Sequence, residues 1–113
     1  MTAAEMLALA DRCEKASGPD RDLERLIWSA VGSPAIRPIP VYTASLDAAM
    51  SLVPDGWDCA IYTSDGVAHA GCSPSDPDVR TADTDDAMSA TAALALCAAA
   101  LRARTALLSD QPA

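Results

Sequence analysis

The dipeptide Asp65-Gly66 separates two strand-like runs, WDCAIYTS (57–64) and VAHAGC (67–72), and it constrains the rest of the chain. Both central residues of a two-residue type I′ turn need positive φ, which Asp-Gly adopts readily. A hairpin closed there has a single register. Ser64 faces Val67, Thr63 faces Ala68, Tyr62 faces His69, Ile61 faces Ala70, Ala60 faces Gly71 and Cys59 faces Cys72. Alternation puts Trp57, Cys59, Ile61, Ala70 and Cys72 on one side, Tyr62 and His69 on the other. An isolated hairpin is marginal in water, so helices must cover at least one of its faces.

The flanking sequence supplies them. Ala3, Met6, Leu7, Ala10 and Cys13 recur at helical spacing within 3–15. Gly18 can end that helix, and Pro19 and Asp20 suit the opening of the next. Leu23, Leu26, Ile27, Ala30 and Val31 form its apolar face, with Gly32 as the stop. Pro34, Pro38 and Pro40 make 33–41 extended, with IPVY at best an edge strand. In YTASLDAAMSLVPDGW (42–57), Thr43 or Ser45 caps a short helix with Leu46, Ala49, Met50 and Val53 on one face. Its first turn holds Asp47, and PDG at 54–56 ends it. A polar loop, 73–86, leads to an Ala- and Leu-rich helix expected over roughly 86–107, for which Asp83, Asp85 and Asp86 suit the positive end. SDQPA (109–113) reads as a disordered tail.

A chain of 113 residues is one domain, here 1–108. It has no Phe, so the core must come from Ala and aliphatic side chains. Leu23, Ile27, Leu46, Met50, Trp57, Ile61, Leu94, Cys97 and Leu101 are expected inside.

The net charge is −8, and nine Asp against one base, Arg80, fall between 47 and 86. That field repels phosphate backbones, which argues against direct nucleic-acid binding and for a basic protein partner. The apolar run ATAALALCAAAL (90–101) is too short for the ~20 residues of a membrane span. MTAAEMLALADRCEK lacks the basic start of a secretory signal, which points to the cytoplasm.

Enzyme chemistry is poorly supplied. The sequence has no Gly-rich phosphate loop, no G-x-S-x-G and no H-E-x-x-H. The single His69 lies on the strand face opposite to Cys59 and Cys72, so no Cys-His dyad is expected. No cofactor or metal is expected either. The four cysteines lack C-x-x-C spacing, and the Asp-rich loop lacks the spacing of a calcium loop. Cys59 and Cys72 are near enough for a disulfide, but a reducing cytoplasm favours thiols. Asp65, Asp76, Asp78, Asp83, Asp85 and Asp86 are therefore the candidate partner-binding residues.

GPDRDLERLI (18–27), YTASLDAAMSLVPDGW (42–57) and ALALCAAALRAR (93–104) together resemble the phage ABA sandwich domain family, small proteins of phage and prophage genomes. The resemblance spans about 5–105. It implies an α/β/α layered arrangement and a phage origin, and no catalytic residues. Two features depart from the family, the loop SPSDPDVRTADTDDAMS and Ala92, where a proline would be expected. The expected fold is thus α+β, a three-layer α/β/α sandwich with a small antiparallel sheet between helices. The expected function is non-enzymatic. An acidic, phage-encoded monomer or small homo-oligomer would inhibit or modulate a basic, nucleic-acid-handling host complex, of the anti-CRISPR or anti-restriction type. A phage structural or assembly accessory is the alternative.

Overall fold

A computed structural model describes residues 3–31, 39–75 and 87–110. Its elements, in chain order, are α1 (Ala3–Lys15), α2 (Arg21–Val31), α3 (Leu46–Met50), β1 (Trp57–Ser64), β2 (Val67–Pro74), β3 (Ala87–Ser89) and α4 (Ala92–Asp110). The architecture is a small α+β sandwich, an antiparallel sheet of order β1-β2-β3 packed with helices.

The hairpin turns where the sequence places it. Asp65 has φ 54° and Gly66 φ 79°, and the register pairs Ser64 with Val67 through Cys59 with Cys72, then continues to Trp57 and Pro74. The pleat gives the expected faces, with Ala68, Ala70 and Cys72 buried and Trp57, Cys59 and Ile61 packed on the core margin.

The third strand departs from the expectation of a helix from about 86. Ala87 pairs with Ala70, Met88 with His69 and Ser89 with Ala68. Tertiary bonds override local helix propensity here. The Ser89 hydroxyl donates to the Cys13 carbonyl (2.8 Å), and the Met88 amide donates to Glu14 Oε2 (2.9 Å), so the C-terminus of α1 holds β3 on the sheet. α4 starts after it, with Thr91 as cap: the Leu94 amide donates to Thr91 Oγ1 (3.2 Å). No acid occupies the first turn of α4. Ala92 is its first helical residue, a position where proline is also favoured. At the other end the helix carries through Ser109 and Asp110, two residues assigned above to the tail.

α4 packs against β2, β3, β1, α1 and α3, and residues 93–101 are buried without interruption. A helix covered on nearly all sides must be apolar all round, and alanine lets its neighbours approach closely. No described helix is long and apolar enough to cross a membrane.

Leu23, Ile27, Leu94, Cys97 and Leu101 are buried as expected. Leu46 and Met50 are not: they are 42% and 43% exposed. Ala49 and Leu52 take the core-facing positions instead, since a helix of little more than one turn leaves its buried stripe undetermined by periodicity. In α1 the same exchange puts Leu9 inside and Leu7 outside. IPVY is no strand. It enters a turn at Tyr42, whose side chain is among the largest fully buried ones.

Two arginines help to seat α4. The Arg104 guanidinium donates to the Leu52 carbonyl (2.7 Å), and Arg102 bridges Asp11 (3.1 Å) and Glu14. Burial pushes the Glu14 carboxyl up, but hydrogen bonds from Arg102 and the Met88 amide, with the guanidinium charge, outweigh it and hold the group below its ordinary value. A depressed carboxyl contributes stability above its unfolded pKa of ~4.3 and loses it as pH falls through the folded value. Urea midpoints should therefore fall on acidification below about pH 4.3, and less steeply in Glu14→Gln than in the parent.

Candidate functional site

Among the described residues, the helices leave one side of the sheet open. On that side the Tyr62 and His69 rings stack, with centroids 4.7 Å apart and planes 2° from parallel, across a directly opposed pair of β1 and β2. Met88, opposite His69 on β3, extends the row, and Tyr62 and Met88 are 50% and 51% exposed. Val67 and Asp58 share this face. It is an apolar and aromatic strip on a rigid support.

Acidic groups lie on this face and at its tip. Asp65 stands exposed at the hairpin tip, as expected of a candidate contact residue. Asp76, Asp78, Asp83, Asp85 and Asp86 lie outside the described residues. The structure adds Asp47 in α3, Asp55 in the turn before β1, and Asp58 on β1, all exposed. These three were within the acidic count for 47–86, but nothing in their local pattern distinguished them from solubilising charge.

Asp58 accepts from the Ser75 hydroxyl (2.9 Å), and among the described residues none of the four aspartates lies within ion-pairing distance of a base, although Asp55 stands in the field of Arg104. Among the described bases, Arg21 pairs with Glu24, Arg25 with Asp22, Arg102 with Asp11 and Glu14, and Arg104 bonds the Leu52 carbonyl, while Arg12 and Lys15 of α1 are exposed. Between 47 and 75 there is no Lys or Arg at all. The described positive charge thus lies on the helices, and the strands carry none of their own.

The thiols do not form a reactive centre. His69 faces outward and Cys59 and Cys72 inward, so sheet geometry separates imidazole from thiol. None of the four cysteines is in a disulfide. Burial, and then the neighbouring Cys59, push the Cys72 thiol up to about 11, which keeps it protonated and a poor nucleophile. Cys97 is raised by its hydrogen bond with Cys13 and by burial, and its thiol donates to the Tyr42 carbonyl (3.3 Å). Cys59 lies against Met50, sulfur to sulfur 3.4 Å. Among the described residues no group of three or more His, Cys, Asp or Glu side chains could hold a metal ion.

No protein family, curated protein or solved structure matches this chain.

Proposed function

We propose that this chain is a non-enzymatic, phage-encoded binding protein that acts in the host cytoplasm on a basic protein partner, inhibiting or modulating a nucleic-acid-handling host complex. The observation that carries this reading is that Asp58 on the open sheet face and Asp65 at its tip are exposed with no described base within ion-pairing distance, while Asp47 and Asp55 add exposed charge on the side of α4. Carboxylates presented on a rigid sheet can occupy a surface built for phosphates, and such complementary fields speed association more than they deepen affinity. Asp76, Asp78, Asp83, Asp85 and Asp86 would add to the same field. The phage origin rests on the sequence blocks 18–27, 42–57 and 93–104.

Tagged protein incubated in lysate of a phage-infected host should capture a basic protein at ~0.1 M salt and release it near 1 M, where the screening length falls from ~10 Å to ~3 Å. Recovery of virion proteins alone, held equally at both salts, would reject this reading in favour of an assembly accessory.

A further inference from the structure

The strand β1 is an edge of the sheet, and its hydrogen-bonding groups can be assigned from the register. A two-residue turn makes Ser64 and Val67 a mutually hydrogen-bonded pair, so Tyr62, Ala60 and Asp58 also bond inward to β2. The same parity continues past the strand end, where the Ser75 amide donates to the Gly56 carbonyl (2.8 Å). The amides and carbonyls of Cys59, Ile61 and Thr63 therefore point away from the sheet. Trp57 offers only its carbonyl there, because its amide is held by the Pro54 carbonyl (3.2 Å).

Exposed edges are usually protected by lysine, proline, a bulge or brevity. β1 has none of these. It runs eight residues, without Lys or Pro, in unbroken register with β2. Its flanks carry Asp55 and Asp65, and Asp58 lies on it.

A second copy of the chain is a poor occupant. Antiparallel self-pairing can centre on Ala60 or on Ile61, seven residues each, and either brings the aspartates of two copies to one seam to which residues 47–75 contribute no Lys or Arg. With the Ala60 centre Asp55 of one copy also meets Asp65 of the other at both ends, and directly opposed like charges are destabilising. An extended segment bearing Lys or Arg removes that conflict and gains from all three aspartates.

We propose that the β1 edge receives an extended, basic peptide segment of the protein partner as an additional antiparallel strand. This deepens the proposed function and rests on its basic-partner reading. Backbone bonds to Cys59, Ile61 and Thr63 hold the segment, and Asp55, Asp58 and Asp65 select its charge.

The test uses a fluorescent peptide of alternating lysine and valine, about twelve residues long so as to span the edge and both flanks. Its anisotropy is followed with the full chain at ~0.1 M salt. Two changes should each weaken binding by about tenfold or more: N-methylation of alternate peptide amides, which keeps the charge, and Thr63→Pro, which removes an outward amide that β2 does not use. Amide exchange at Cys59, Ile61 and Thr63 should slow on binding. Equal binding of the methylated and unmethylated peptides, lost when Asp58 and Asp65 become lysine, would overturn strand addition and leave the basic-partner reading standing. Absence of binding by either peptide would overturn the inference, and the lysate capture judges the wider reading separately. A dimer in sedimentation that Thr63→Pro dissociates would also overturn it, by giving the edge to a second copy.

Discussion

Replacing Leu94 with alanine is expected to lower the unfolding free energy by about 2–5 kcal/mol, the range for deleting a buried leucine side chain and leaving a cavity. Leu94 is fully buried in the first turns of α4, the helix that contacts every strand and two of the other helices. Its surroundings restrict collapse. The backbone amide is fixed by Thr91, and the neighbouring positions 93 and 95–98 are buried too, mostly as alanine, which has no longer rotamer with which to fill a void. The cost should therefore lie in the upper half of that range. Leu46→Ala supplies the contrast, because a side chain already 42% exposed has much less apolar area to lose. Urea denaturation of both variants measures the difference as a shift in midpoint at unchanged slope. A loss below ~1 kcal/mol for Leu94→Ala, or equal losses for the two, would contradict the core described above.

The difference between those two leucines marks how far the sequence could be read. Features set by covalent geometry within a few residues were legible: the Asp65-Gly66 turn, the hairpin register, the opposition of Tyr62 and His69, the helix start at Asp20, and a cap at Thr43 or Ser45 that the structure gives to Ser45. Long apolar periodicity was legible too, as Leu23 and Ile27 show. Features set by distant partners were not. β3 exists because Glu14 and Cys13, more than 70 residues away, bind Met88 and Ser89. Tyr42 is fully buried at a turn whose carbonyl accepts from Cys97 of α4, 55 residues away. The candidate site divides the same way. The acidic excess is a matter of composition, whereas the openness of one sheet face and of the β1 edge depends on which side the helices choose.

Glu24 gives the second large prediction and the clearest case of a role invisible in the sequence. It reads as a solvated polar residue of α2, yet it is only 2% exposed. Its Oε2 accepts from both the amide (3.0 Å) and the hydroxyl (2.8 Å) of buried Thr43, and its Oε1 accepts from Arg21 (3.0 Å). Thr43 Oγ1 also accepts from the amide of Asp20, the residue whose carboxylate caps α2 at the Leu23 amide. The carboxylate thus ties the start of α2 to the turn before α3. Glu24→Ala strands the Thr43 amide, while the hydroxyl, which still accepts from the Asp20 amide, can donate only over a long contact to the Asp20 carbonyl (3.4 Å). Arg21 remains partly in water, so no buried cation is left behind. With one donor orphaned, another weakened and a charge-assisted bond removed, the cost should be about 2–4 kcal/mol. Glu24→Gln keeps one oxygen acceptor and should recover about half of that. Adding Thr43→Val to Glu24→Ala removes the weakened hydroxyl, and because each single change already loses the Glu24–Thr43 hydroxyl bond the pair should destabilise by less than the sum of the separate changes, a coupling that a double-mutant cycle in urea reads directly. Strict additivity of the two would mean that Glu24 and Thr43 do not share a bond, and that α2 is held to the turn by apolar packing alone.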